Sequence, residues 1–93
     1  MKLVELIPWK LEFNPGWDKY FKDFDKSIKD QILKKLEKMK QPLVARGLHS
    51  SDYKVEEAGQ YRITFIQDET TQTKHIHFIG DHKQYEKWYK NEI

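Results

Sequence analysis

The sequence contains no cysteine, which excludes disulfide bonds, thiolate zinc sites and thiol catalysis. Its longest apolar runs span only a few residues, whereas a helix needs ~20 to cross a bilayer. Neither sign of charge dominates, because 17 Lys and Arg oppose 15 Asp and Glu for a formal charge of +2. A nucleic-acid surface would therefore depend on how charge is distributed over the fold. Charged residues near the N-terminus also interrupt any apolar signal segment. We expect a cytoplasmic protein that does not enter a membrane.

What the sequence does contain is enough for one small domain. At 93 residues it can form a single modest hydrophobic core, and its 14% aromatic residues supply large side chains for that core. No internal repeat, low-complexity segment or linker divides it. We predict one domain over residues 1–93.

The N-terminal half predicts a strand followed by helices. Residues 9–13 alternate apolar and charged side chains, which is the pattern of a half-buried strand, and Asn14-Pro15-Gly16 ends it. Apolar residues then recur at helical spacing up to Phe24, and again from a cap at Asp25 to Met39. Two consecutive amphipathic stretches predict a helical hairpin.

The C-terminal half predicts a sheet. After a loop at residues 41–51, alternating runs at 53–57 and 60–66 are separated by Ala58-Gly59, a spacing suited to a tight hairpin. A third strand is predicted at 74–79, and a short helix follows from Asp81. The predicted fold is α+β, with the helical hairpin packed on one face of a twisted antiparallel sheet and the other face open.

Strict alternation predicts which side chains lie on the open face. If Ile63 and Phe65 are in the core, Arg62 points away from it. The same rule applied to the neighbouring strands buries Val55, Ile76 and Phe78. The open face then carries Lys54, Glu56, Arg62 and His77, with His82, Lys83, Tyr85 and Tyr89 just beyond the last strand.

These residue types suit RNA cleavage. Attack of a 2′-hydroxyl on its own phosphate needs a base, a group that holds the phosphorane charge, and an acid for the leaving oxygen. Arg62 suits the second role because its planar fork binds two phosphate oxygens and stays charged. Lys54 could assist, while His82, Tyr85 or Tyr89 could exchange protons or stack on a base. The scheme requires no metal and no cofactor.

Less specific interpretations compete with that scheme. A lone arginine on a strand is more often a solvated or ion-paired surface residue, and the lysines of the second helix are most simply a solvated face. His75 and His77 with His82 could form a zinc site, but they lack a recognisable ligand pattern, and we favour ordinary surface histidines. The residues by themselves leave the function open.

The order of features from Leu11 to Tyr89 resembles the RelE/ParE toxin superfamily. In that family an opening strand and a helical hairpin are followed by a leucine ahead of the second strand. A tyrosine-basic pair, a glycine-x-tyrosine-arginine-apolar signature and a closing glycine-x-histidine segment with a tyrosine come next. The corresponding parts of this chain are residues 11–15, residues 32–38, Leu48, Tyr53-Lys54, residues 59–63 and residues 79–85.

The resemblance implies a microbial-ribonuclease-like fold, a cognate antitoxin, and cleavage of mRNA on the ribosome. It implies that Arg62 stabilises the transition state and that Lys54 contacts the RNA backbone. It places His82 at a basic position of the family, and Tyr85, Trp88 and Tyr89 are candidates for its C-terminal aromatic. We further expect Lys83, His77 and Arg46 to contact RNA.

One residue departs from the family pattern. Highly active RelE-like members carry a second lysine where this chain has Glu56, which could act as general base or could weaken phosphate binding. Two alternatives to the ribonuclease therefore stay open. ParE-like relatives share the scaffold but inhibit DNA gyrase, and a third possibility is a non-catalytic RNA-binding module.

Overall fold

A computed structural model describes residues 8–41, 46–47 and 52–92. Within them the chain forms a small α+β domain, as the sequence predicted. No helix in these ranges is long and apolar enough to span a membrane. The elements in chain order are β1 (Lys10–Phe13), a 3-10 turn (Phe21–Asp23), α1 (Lys26–Met39), β2 (Arg46–Gly47), β3 (Tyr53–Ala58), β4 (Tyr61–Asp68), β5 (Thr73–Asp81) and α2 (His82–Glu92).

The five strands form one sheet in the order β1-β5-β4-β3-β2. The pairs of β2 with β3, β3 with β4, and β4 with β5 are antiparallel. The first strand instead pairs parallel to the last, with Lys10 opposite Thr73 and Phe13 opposite Ile76. The sheet is therefore mixed. Its parallel neighbours β1 and β5 are joined through α1 and the antiparallel strands β2, β3 and β4.

The predicted helical hairpin is wrong in its first arm. Between β1 and α1 the chain makes turns, and only Phe21–Asp23 form a 3-10 turn. The backbone becomes extended at Phe24 (ψ 152°), which stops a helix from continuing. Asp25 then caps α1 by accepting a hydrogen bond from the Ile28 amide at 3.0 Å. The aromatic spacing in this segment serves packing, since Phe24 lies 5.0 Å from the ring of Tyr61.

Helix α1 covers one face of the sheet, which we call the α1 face. Its buried side chains are Ile32, Leu36 and Met39. They form a core with residues of three strands. The strand residues of that core are Ala58, Ile63, Phe65, Ile76 and Ile79.

Helix α2 packs against the opposite face, which we call the α2 face. The indole of Trp88 stacks on Phe78 at 5.3 Å and meets Tyr53 edge-on at 5.0 Å. Phe78 is opposite Thr64 on β4, one residue out of phase with the core residue Ile63. The face that the sequence predicted to be open is therefore partly covered by α2.

A buried lysine joins α1 to the sheet. Lys74 is fully buried, and its ammonium donates a 2.7 Å hydrogen bond to the carbonyl of Met39 in the last turn of α1. The rings of Trp9 and Phe65 flank it at 5.2 and 5.3 Å. It thus satisfies one of the carbonyls that a helix leaves unpaired at its C-terminus. Burial lowers the pKa of this ammonium below 10.5, although nearby Glu56 acts in the opposite direction.

This lowered pKa predicts a pH dependence of stability. Between the folded pKa of Lys74 and its ordinary value of 10.5, the unfolded chain binds the proton more tightly than the folded chain. The free energy of unfolding should therefore rise with pH in that window, relative to a Lys74→Met variant that cannot titrate. Urea unfolding of both proteins at neutral and alkaline pH measures the difference. If the free energy of unfolding of wild type minus that of Lys74→Met stays constant or falls as pH rises, the prediction is wrong.

Candidate functional site

The β3–β4 hairpin positions Arg62. Its two-residue turn is Gly59-Gln60, and Gly59 adopts a positive φ of 62° that favours glycine. The turn makes Ala58 face Tyr61 and therefore places Glu57 directly opposite Arg62. Directly opposed residues of an antiparallel pair share a face of the sheet. Glu57 and Arg62 are therefore neighbours on the α2 face.

On its other side Arg62 is opposite Gly80, where β5 passes into α2. A Cβ on Gly80 would lie 2.5 Å from Cζ of Phe78 and 2.9 Å from Oε1 of Gln84, so a larger residue there would displace the Phe78 ring and the Gln84 side chain. Asp81 and Gln84 then begin α2 with a reciprocal pair of hydrogen bonds. The Gln84 amide donates to Oδ1 of Asp81 at 2.8 Å, and the Asp81 amide donates to Oε1 of Gln84 at 2.9 Å. The first turn of α2 is thereby held beside Arg62.

Two side chains from that first turn hold the guanidinium. Nη1 of Arg62 lies 2.9 Å from Nδ1 of His82, and its Cζ lies 4.9 Å from the ring centre of Tyr85. Because a guanidinium only donates, Nδ1 of His82 accepts, and the imidazole carries its proton on Nε2. That nitrogen lies 3.0 Å from the Glu86 carboxylate. We call Glu57, Arg62, His82, Tyr85 and Glu86 the Arg62 cluster.

The Arg62 cluster combines a permanent cation with groups that move protons. Arg62 is only half-buried, and the side chain of His82 is 60% exposed, so a ligand can reach both. The N-terminus of α2 beside them adds partial positive charge. A phosphate group is the anion that this arrangement suits best, because the guanidinium fork offers it two parallel donors. Glu57 and His82 could exchange protons with a ligand bound there.

Similar proteins are found by comparing structures but not by comparing sequences. No family model and no curated protein matches the sequence. Among solved structures, the toxin–antitoxin complex RelBE2 of Mycobacterium tuberculosis has a chain that superposes with a TM-score of 0.69 at 13% identity, covering 83% of this chain and 94% of that one. The isolated RelE toxin of Escherichia coli gives 0.62 at 17% identity, covering 91% and 99%. This chain has the RelE toxin fold. The intact RelBE complex of E. coli agrees, with a TM-score of 0.66 at 15% identity over 78% and 95%.

Within the RelE fold, Lys54 does not lie where alternation placed it. Lys54 is opposite Phe65, so it lies on the α1 face, whereas Arg62 lies on the α2 face. The period of two was right along β3 and β4, but the phase between these two strands was wrong. A two-residue turn pairs odd positions of β3 with even positions of β4. Lys54 therefore does not face the same side of the sheet as Arg62.

The same register moves Glu56 out of the site. Glu56 is opposite Ile63 on the α1 face and forms a 3.3 Å ion pair with Lys35 of α1. Glu57, the next residue, is the carboxylate opposite Arg62, and residue 57 also borders the groove between α1 and β3. The sequence analysis missed Glu57 because it placed the turn at Ala58-Gly59, which would put Val55 opposite Arg62. The turn lies one residue later, at Gly59-Gln60, and puts Glu57 there.

A β-bulge places His77 and Phe78. Thr64 is opposite Phe78 while Phe65 is opposite Ile76, so His77 is an extra residue on β5. Phe78 was predicted to share the core face with Ile76. It is buried, but it packs on Trp88 on the α2 face instead. His77 was predicted to lie beside Arg62, yet it contacts Tyr53 at a ring distance of 5.2 Å, in the part of the face that Trp88 covers.

The remaining candidates are spread around the Arg62 cluster. Lys83 is exposed in the first turn of α2, and the ring of Tyr89 lies 6.0 Å from that of Tyr85. Arg46 belongs to the two-residue strand β2 opposite Val55, and only its backbone is described. Leu48, which contributed to the resemblance, lies outside the described residues. Across the described ranges, no three His, Asp or Glu side chains come together as a metal site would require.

Proposed function

We propose that this chain is the toxin of a toxin–antitoxin pair and that it cleaves mRNA on the ribosome. The observation that carries the proposal is the Arg62 guanidinium, held by His82 and Tyr85 opposite Glu57. The RelE fold supports it, because structurally similar chains are toxins crystallised with their antitoxins. The partners we expect are an antitoxin protein, mRNA and the ribosome.

In the proposed reaction the scissile phosphate binds to Arg62. Glu57 accepts the proton of the adjacent 2′-hydroxyl, whose oxygen attacks phosphorus and forms a 2′,3′-cyclic phosphate. The bond from phosphorus to the 5′-oxygen breaks, and that oxygen takes a proton. Arg62 stabilises the negative charge that develops on the phosphate oxygens during the step.

His82 is the acid in this scheme. In the unbound chain its Nδ1 accepts a hydrogen bond from Arg62. When Arg62 turns its donors to the phosphate, Nδ1 is released and can bind a proton. Glu86, 3.0 Å from Nε2, stabilises the resulting imidazolium. The imidazolium then protonates the leaving 5′-oxygen, while Tyr85 holds the guanidinium plane through its ring.

Programmed ribosomes test the proposal. Purified protein is added to ribosomes stalled with a defined codon in the A site, and the mRNA is mapped by primer extension. We expect a cut in the A-site codon that does not occur in the same mRNA without ribosomes. Intact mRNA under these conditions, together with inhibition of gyrase supercoiling by the same preparation, would replace the ribonuclease with a ParE-like activity.

Adjacent glutamates provide a matched pair of variants. Glu57→Gln should lower the cleavage rate roughly 100-fold, because it removes the proposed base beside Arg62. Glu56→Gln makes the same chemical change one residue away, on the α1 face, and should leave the rate within about threefold of wild type. Single-turnover cleavage on programmed ribosomes gives both rates. If Glu56→Gln is the slower variant, the register-based assignment of the base is wrong.

A further inference from the structure

A separate cavity lies on the α2 face beyond the Arg62 cluster. It is formed by α2, the start of β3 and the chain that follows β1, and its volume is about 300 Å³. That is at the lower end of the range for cavities that hold small ligands, roughly 300–1,000 Å³. The ring of Trp88 in its wall lies 6.4 Å from the ring of Tyr85, which belongs to the Arg62 cluster. The cavity and the Arg62 cluster are therefore neighbours on one surface.

Aromatic rings make up much of the wall of this cavity. Tyr20, Tyr53 and Trp88 contribute from the three elements that surround it, and Phe78 from the bulge of β5 completes the set. The rings support one another, since Tyr20 meets Phe78 edge-on at 5.9 Å and Trp88 stacks on Phe78. We call this site the aromatic cavity. Its rings are held in place before any ligand arrives, which lowers the entropic cost of binding a planar group.

Polar groups of the aromatic cavity come from the bulge and from its rim. His77 lines it, with Nε2 of its imidazole 3.2 Å from the Asn14 amide nitrogen. Asn91 of α2 adds a side-chain amide to the lining. Such donors and acceptors can pair with the edge of a base that is not already paired to another strand.

The charge of the aromatic cavity has one sign. Lys19 and Lys87 are exposed and line it from opposite sides, one from the chain after β1 and the other from α2. Among the described residues that line it there is no Asp or Glu. The groove between α1 and β3, in contrast, combines lysines with Asp30 and Glu57. Two cations around a set of rings complement a phosphate attached to an aromatic base.

We propose that the aromatic cavity binds a nucleotide of single-stranded RNA next to the phosphodiester held at Arg62. A base would contact the rings and the edge of His77, and Lys19 and Lys87 would contact the flanking phosphates. The position of this nucleotide relative to a cut rests on the proposed function, but its binding does not. The cavity would add affinity and a base preference that the Arg62 cluster alone cannot supply.

The test uses a short single-stranded 2′-O-methyl RNA, which the protein cannot cleave because its 2′-oxygen carries no proton. Binding is followed by two-dimensional NMR, with shifts mapped on the full chain. We expect shifts at Tyr53, His77 and Trp88. A Lys19→Gln, Lys87→Gln double variant should bind roughly tenfold more weakly, and the slope of log affinity against log salt should fall by about 1.4, or 0.7 for each lost phosphate contact.

The matched control is the double variant Lys22→Gln, Lys90→Gln. It removes the same charge from exposed positions on the same two segments, neither of which lines the aromatic cavity. Its affinity should stay within about twofold of wild type. Amide dispersion in the NMR spectra shows that both variants are folded. Equal weakening in both variants, or RNA shifts that avoid the cavity, overturns the proposal.

Two further outcomes separate the ligand and the function. Binding of adenosine monophosphate in the aromatic cavity as tightly as RNA would overturn the RNA assignment and indicate a site for free nucleotides. RNA that binds in the cavity of a chain that cuts nothing on ribosomes would contradict the proposed ribonuclease but support this inference. Ribosome-dependent cleavage without any shift in the cavity would have the opposite meaning.

Discussion

Replacing Arg62 with alanine is expected to slow mRNA cleavage on programmed ribosomes roughly 1,000-fold. The variant removes the cation that would hold the phosphate oxygens, and loss of a single group that stabilises such charge costs about 100- to 1,000-fold or more. It also releases His82 and Tyr85, which the guanidinium contacts in the folded chain. Single-turnover rates of wild type and variant provide the measurement.

Two companion variants make the Arg62 result specific. Arg62→Lys keeps the charge but loses the planar fork, and we expect a rate between those of alanine and wild type. Lys54→Ala distinguishes the site derived from the strand register, which excludes Lys54, from the site implied by the family resemblance, which includes it. Lys54 lies on the α1 face opposite Phe65, so its removal should change the rate by less than about tenfold. Undiminished cleavage by Arg62→Ala would rule out the proposed mechanism.

Replacing Phe65 with alanine is expected to destabilise the domain by about 3–5 kcal/mol. Phe65 is fully buried at the centre of the sheet, between Ile76 on β5 and the strand β3. Its ring also flanks the buried ammonium of Lys74 at 5.3 Å. Truncating Phe65 would therefore remove apolar contacts and leave a cavity beside a buried charge. Small domains have a total stability of only about 5–15 kcal/mol. Urea unfolding followed by circular dichroism measures the loss.

Phe13 offers the same substitution in a different environment. Its side chain is 43% exposed at the end of β1, where it contacts Trp17 at a ring distance of 4.6 Å. Phe13→Ala should cost about 1 kcal/mol, because little apolar surface leaves water when this ring packs. A loss as large as that of Phe65→Ala would show that the core is not organised around α1 and the sheet as described.

Arg62 shows how far local patterns can identify a site. Alternation along β4 correctly placed Arg62 on the face opposite Ile63 and Phe65, because side chains of a strand point to opposite sides with a period of two. Which residue of β3 faces it depends on the length of the turn. Counting across the observed turn Gly59-Gln60 gives Glu57, whereas the predicted turn Ala58-Gly59 would give Val55. Either two-residue turn pairs Lys54 and Glu56 with residues of the α1 face. The assignment of Lys54 and Glu56 to this face was thus an error of phase.

His77 and Phe78 depended on information that no local pattern contains. The bulge adds one residue to β5 opposite β4, so alternation fails between Ile76 and Phe78. Phe78 faces away from the α1 core, and Trp88 in the second half of α2 covers it there. The aromatic cavity exists for the same reason. Its walls come from segments far apart in the chain.

The sequence by itself determined the α+β class, the period of two along β3 and β4, the Asp25 cap of α1 and a tight hairpin turn that includes Gly59. These features depend on residues only a few positions apart. Tertiary structure decided the parallel pairing of β1 with β5, the burial of Lys74 against Met39 and the contact of Arg62 with the first turn of α2. Each of these joins distant segments, and its free energy depends on which surfaces meet. The chemistry of Arg62 follows from its residue type, but its neighbours follow from the fold.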